Sequence, residues 1–146
     1  MCTAARVVFC EALSDLTNLG AVFRNAAALG ADAVLIDRQC GDPLARRVVR
    51  VSAGHVLTVP WARAAISDLA GFERLALTPR SDAQPVAACA ATGPVALLVG
   101  SEGYGLSAET LAAADRQVRI PMRPGVDSLN VATALAVALY ALADHH

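Results

Sequence analysis

Apolar residues fall along the chain in two spacings. Short continuous runs at residues 7–10, Ala33–Ile36, 75–77 and 95–99 have the length of buried strands, whereas residues 19–29, 61–69 and 129–143 have helical length. Their alternation predicts an α/β fold, a mostly parallel sheet with helices on both faces. Residues 78–85 read as a polar loop ending in a proline. At 146 residues without a repeat or linker, one domain over residues 1–146 is expected.

The helix predicted at 129–143 lacks a polar face apart from Asn130 and Thr133, and alanine recurs at 132, 134, 136, 138, 141 and 143. Such a helix must be covered all round. Either its own subunit wraps it or a second copy supplies half the cover, and the small chain favours a homodimer.

Composition narrows the chemistry. All twelve basic residues are arginine, which excludes a P-loop lysine, a Schiff-base lysine and a lysine general base. The net charge of −1 confines any RNA contact to a local patch. Cys2, Cys10, Cys40 and Cys89 form no metal-ligand spacing, so they read as reduced thiols of a soluble cytoplasmic protein without a metal. No apolar run approaches the ~20 residues that cross a bilayer. His145 and His146 are set aside as an expression-tag remnant.

Three segments carry candidate chemistry. In the first, Asn18-Leu-Gly20-Ala-Val-Phe-Arg24-Asn25-Ala26 opens a helix capped by Thr17 or Asn18 and ended by Gly30, with Leu19, Val22, Phe23, Ala26 and Leu29 on its buried side. Arg24 lies off that side, with Gly20 and Ala28 one turn away, and is either a ligand to an anion or a solvated surface residue.

The second, Pro94 to Ser107, is a buried strand running into the turn Gly100-Ser-Glu102-Gly103-Tyr-Gly105, where backbone can approach a ligand closely. Gly103-x-Gly105-x-x-Ala108 loosely matches a dinucleotide fingerprint, although it follows a late strand rather than the first. A tight turn with a helix cap at Ser107 is the plainer reading.

The third is Ile120-Pro-Met122 followed by Asp127-Ser128-Leu129-Asn130, with Ser128 placed to cap the last helix and Asn130 in its first turn.

Together these segments resemble the SpoU/TrmH family of RNA ribose 2′-O-methyltransferases, of the SPOUT class. Asn18-x-Gly20-x-x-x-Arg24-x-Ala26 matches its first motif, Leu98-Val-Gly100-Ser-Glu102-Gly103-x-Gly105-Leu its second, and Ile120-Pro-Met122 with Ser128-Leu-Asn130-Val its third. Arg46-Arg47-Val-Val-Arg50-Val-Ser52-Ala-Gly54 looks like the family's middle segment.

The resemblance implies a C-terminal trefoil knot, which spacing alone does not suggest, and a homodimer. It also implies S-adenosylmethionine bound by Leu77, Thr78, Gly100, Ile120, Met122 and Leu129. Many relatives carry an RNA-binding domain ahead of this core, whereas about six residues precede the first strand here. The expectation is therefore a minimal enzyme or a catalytic domain of a longer chain.

Arg24, Asn18, Glu102, Ser128 and Asn130 form the implied catalytic set, acting on a ribose of rRNA or tRNA. A guanidinium stays protonated, so Arg24 is read as fixing phosphate and stabilising the developing alkoxide. Asn18, Ser128 and Asn130 orient it and the ribose, and Glu102 holds the turn or pairs with Arg24. Arg46, Arg47 and Arg50, on a short helix started by Asp42 and Pro43, are the candidate RNA patch. Two other classes stay open: an NAD-dependent oxidoreductase using the glycine turn, and a non-catalytic RNA-binding relative.

Overall fold

A computed structural model describes residues 5–126 and 128–143. Seven parallel strands form one sheet: β1 (Arg6–Glu11), β2 (Ala33–Ile36), β3 (Trp61–Arg63), β4 (Glu73–Leu77), β5 (Gln84–Pro85), β6 (Val95–Gly100) and β7 (Arg116–Arg119). Their order is β3-β2-β1-β6-β4-β7-β5. The four apolar runs become β1, β2, β4 and β6, because a strand covered on both faces needs no polar alternation.

Helices α1 (Leu16–Leu29), α2 (Arg46–Val51) and α4 (Val131–Leu142) share one face with a core containing Val8, Phe23, Leu97 and Leu135. The other face carries a smaller cluster of Phe9, Leu69, Ala76 and Leu98, with Leu111 of α3 (Ala108–Ala113) packed on it. Each fully buried side chain of this size contributes roughly 1.5–3 kcal/mol relative to exposure. Among the described residues no helix is long and apolar enough to cross a membrane.

Four local expectations are corrected. Residues 61–69 are not one helix: Trp61–Arg63 extends as β3 and Ile66–Leu69 forms a 3-10 turn. The edge of β2 offers this segment ladder partners, Val34 N–H donating to Pro60 O at 2.9 Å and Ala64 N–H to Ile36 O at 2.8 Å, and the ladder overrides helical propensity.

Helix α1 begins a turn earlier than expected, capped by Asp15, whose carboxylate accepts from Asn18 N at 3.0 Å; Gly30 ends it in the left-handed conformation. Asn130 lies outside α4 as its cap, with Oδ1 accepting from Ala132 N at 3.0 Å and Thr133 N at 3.3 Å, so Ser128 does not cap. Asp42 and Pro43 make a turn, Ala45 N–H donating to Asp42 O, and α2 starts only at Arg46.

Strand β7 enters between two strands that precede it in sequence. Leu77 of β4 and Gln84 of β5 both pair with Val118, from opposite sides. The 78–83 segment therefore straddles the end of β7, held by Thr78 N–H to Val118 O at 2.9 Å and Arg119 Nε to Ala83 O at 3.0 Å.

Candidate functional site

A cleft of about 770 Å³ opens at the carboxyl ends of β4, β6 and β7, where open parallel sheets bind ligands. Leu77, Thr78, Gly100, Ile120, Met122 and Leu129 all line it, as do Glu102, Ser128 and Asn130. The wall is mostly apolar on the β4 and β7 side and polar where the 101–105 turn faces the start of α4.

The polar side is one hydrogen-bonded network. Capping fixes Asn130 with its oxygen toward α4, which leaves Nδ2 to donate to Asn18 Oδ1 at 3.0 Å and to Glu102 Oε1 at 2.7 Å. Asn18 is buried on α1, and one side of that helix also sends Asn25 Nδ2 to Ala132 O at 2.9 Å. Residues 18, 102 and 130, far apart in sequence, thus meet at one edge of the cleft. Glu102 does not pair with Arg24: among the described residues its partner is Asn130, and it ties the turn to α4.

Arg24 is exposed on α1, outside the cleft lining, with no hydrogen bond or ion pair to a described residue. Gly20 does not clear ground for it. A Cβ at position 20 would lie 2.8 Å from Val51 Cβ, so that glycine lets α1 and α2 approach. Arg46, Arg47 and Arg50 are exposed on α2, and none lines the cleft. Asp127 and the terminal histidines lie outside the described residues, as does Cys2.

Gly100 is required by contact within the chain rather than with a ligand. A Cβ there would stand 2.4 Å from both the carbonyl carbon and oxygen of Gly105, because the turn folds back on itself with Gly105 N–H bonded to Ser101 O at 2.8 Å.

Sequence reasoning passed over Glu11, which closes the same turn from behind. It ends β1 opposite Gly100 in the ladder, and its carboxylate accepts from Ser107 N at 2.6 Å, Ser107 Oγ at 3.1 Å and Thr110 Oγ1. Ser107 caps α3 as expected. A protein carboxylate therefore occupies the start of α3, where a dinucleotide's pyrophosphate would sit, and this speaks against the fingerprint reading of Gly103 and Gly105.

Cys10 and Cys40 are buried and do not line the cleft. Burial, reinforced by Cys40 and the Asp37 carboxylate, pushes the Cys10 thiol well up. Burial pushes Cys40 up to about 12 against the opposing hydrogen bond from the Leu13 amide. Among the described residues no group of three His, Cys, Asp or Glu side chains could hold a metal ion.

Residues 5–140 match the model of the SpoU rRNA methylase family. The chain belongs to this family. A protein described as an uncharacterised tRNA/rRNA methyltransferase of Mycobacterium tuberculosis is 51% identical over 94% of the chain and 51% of its own length. The 23S rRNA (guanosine-2′-O-)-methyltransferase RlmB of Vibrio cholerae is 33% identical over 89% of the chain and 55% of its length. Among solved structures, an AdoMet-bound rRNA methyltransferase from Sinorhizobium meliloti superposes with a TM-score of 0.86 at 30% identity, covering 94% of the chain and 55% of that protein. The chain thus spans about half the length of the curated SpoU relatives it matches.

Proposed function

We propose that the chain binds S-adenosylmethionine in the β4-β6-β7 cleft and directs its methyl group to the 2′-hydroxyl of a ribose in rRNA or tRNA. The observation that carries this reading is the meeting of Asn18, Glu102 and Asn130 at the edge of a mostly apolar cleft. Family membership and the AdoMet-bound relative support the cofactor; the 2′-O position is supported by the Vibrio cholerae relative.

The cleft fits the group: about 770 Å³ suits a nucleoside-sized ligand. Leu77, Ile120 and Leu129 offer apolar surface to the adenosine, while Thr78, Gly100 and Met122 border it. When bound, the cofactor supplies an electrophilic methyl carbon on a sulfonium. Ser128 orients the ribose oxygen toward that carbon, and Asn130, its amide already spent on Asn18, Glu102 and the start of α4, fixes Glu102 beside it. Arg24, exposed outside the cleft lining, binds the phosphate adjoining the target ribose. Arg46, Arg47 and Arg50 hold RNA backbone further out.

Three further features complete the proposal. The segment after β7 passes through the loop that straddles it and forms the trefoil knot. Two copies pair through the exposed side of α4, where Val137 lies open. The unit is a single cytoplasmic catalytic domain.

Calorimetry with S-adenosylmethionine and with NAD, run separately, tests the cofactor, and saturable NAD binding with no response to S-adenosylmethionine overturns it. Arg24→Ala is expected to abolish methyl transfer in single turnover and to leave S-adenosylmethionine affinity nearly unchanged. Arg24→Lys does not restore transfer fully, since an ammonium lacks the planar fork. Mapping 2′-O-methyl sites in RNA from cells lacking the gene identifies the target nucleotide, and an unchanged map overturns the ribose assignment.

A further inference from the structure

A second cleft, of about 910 Å³, lies across the 101–107 turn from the first, at the carboxyl ends of β1, β2 and β3. Tyr104, Ser101 and Gly105 line both clefts. Tyr104 is 95% exposed, the most open of the large apolar side chains in the described residues. The ring stands at the wall between the two clefts, where a ligand crossing from one to the other would meet it.

The ring is not on a loose loop. Gly103 and Gly105 flank it at φ +89° and +64°, a conformation that disfavours side chains, and the Ser101–Gly105 bridge closes the turn beneath it. The turn is anchored on its far side by Glu11 through Ser107. A rigid support presenting an aromatic face is the construction that stacks a nucleobase at low entropic cost.

Most charges of the second cleft are already spent on the protein. Asp37 accepts from the amides of Ala12, Gln39 and Cys40, Asp68 from Ala65 N, and Glu11 from Ser107 and Thr110. Arg63 donates to the carbonyls of Asp37, Cys40 and Gly41. Among the described residues this leaves Arg38 as the lining cation without a partner, with Gln39 beside it and Glu109 across the cleft. A lone guanidinium, an amide and a carboxylate around an aromatic ring match one nucleotide: phosphate on Arg38, base edge on Gln39 or Glu109, base face on Tyr104.

We propose that this second cleft is a nucleotide subsite, in which Tyr104 stacks an unpaired base of the RNA next to the nucleotide being methylated. The inference rests on the RNA-methyltransferase reading above and adds where the strand runs. From the ribose held beside Ser128 and Glu102, it crosses the 101–105 turn and continues over the carboxyl ends of β1 and β2.

Fluorescence anisotropy with a 5′-labelled twelve-nucleotide single-stranded RNA tests this, with S-adenosylmethionine affinity by calorimetry and thermal unfolding measured on the same preparations. Tyr104→Ala is expected to weaken RNA binding roughly tenfold, the loss of one base–aromatic stack, and Tyr104→Phe to preserve it. Arg38→Ala should reduce the salt dependence of binding by about one counterion. Tight RNA binding by Tyr104→Ala overturns the subsite and leaves the function reading intact. Weaker cofactor binding with unchanged RNA binding assigns the ring to the first cleft and overturns it too. Wild-type protein that binds S-adenosylmethionine but no RNA overturns the subsite together with the RNA reading beneath it.

Discussion

The side-chain amide of Asn130 donates to Glu102 at 2.7 Å while its oxygen caps α4, so one residue both starts the last helix and orients a carboxylate at the cleft edge. Asn130→Ala removes both roles and is expected to cost about 1 kcal/mol of stability for the cap alone. Asn130→Asp keeps the capping oxygen but sets a second carboxylate oxygen against Glu102 and Asn18 Oδ1 in place of the donor. Single-turnover methyl transfer should be strongly reduced in both. Full activity in the aspartate variant means that the donor to Glu102 has no part in the reaction.

Gly100→Ala places a methyl group against the Gly105 backbone, a contact no rotamer can relieve. The turn must shift, costing roughly 1–3 kcal/mol. S-adenosylmethionine affinity should fall with it, because the same turn walls the cleft. Calorimetry and urea unfolding measure the two effects, and unchanged values for both contradict the contact.

Helix α4 is apolar nearly all round, but its own subunit already buries Ala132, Leu135, Ala138 and Leu139. Glutamate at Ala138 therefore tests folding, not association. Val137, 41% exposed, is the position at which charge is expected to separate the proposed pair of subunits. Val137→Glu should leave a folded monomer by sedimentation and circular dichroism where the wild type is dimeric, since pairing would bury an unpaired carboxylate at several kcal/mol. A wild-type monomer at micromolar concentration contradicts the dimer.

Legibility followed burial. Strands β1, β2, β4 and β6 stood out because continuous apolar runs leave no other reading. β7 was missed because only Val118 of its four residues is buried, and arginine and glutamine occupy the rest. The residues of β3 read as helix in sequence, since three residues carry no signal that β2 offers an open edge beside them. In the site, the six residues that the resemblance implies for the cofactor line one cleft, and no spacing rule pointed to them. Glu11 was invisible for a plainer reason: its partners are 96 and 99 residues away.

The Cys10 and Cys40 thiols, both raised by burial, stay protonated at pH 8. An alkylating reagent at that pH should leave both unmodified in native protein and modify them in concentrated urea, as read by peptide mass mapping. Rapid native labelling at either position refutes the buried placement.

Asp115 accepts from the Arg74 amide at 2.7 Å, and this bond, assisted by the Arg74 side chain, holds its carboxyl below the usual range. A lowered value means that the stabilisation is present above the ordinary carboxylate pKa and lost as pH falls through the folded one. The group is well exposed, so Asp115→Ala should cost no more than about 0.5–1 kcal/mol near pH 7. That difference should shrink as pH falls from 5 toward 3 in urea titrations; a constant difference argues against the carboxylate as its source.

The place of β7 also governs how the protein is made. A ribosome releases β1, β2 and β3 first, yet the inner edge of β1 has no partner until residues 95–100 emerge, and β5 pairs only with β7. For most of its synthesis the nascent chain carries open strand edges flanked by apolar runs, a surface that invites pairing with other chains. Completion depends on residues 116–119, which must fill a gap already spanned by the 78–83 loop. Chains that terminate early therefore lack more than a helix: they leave a vacant slot one strand in from the sheet's edge, between β4 and β5.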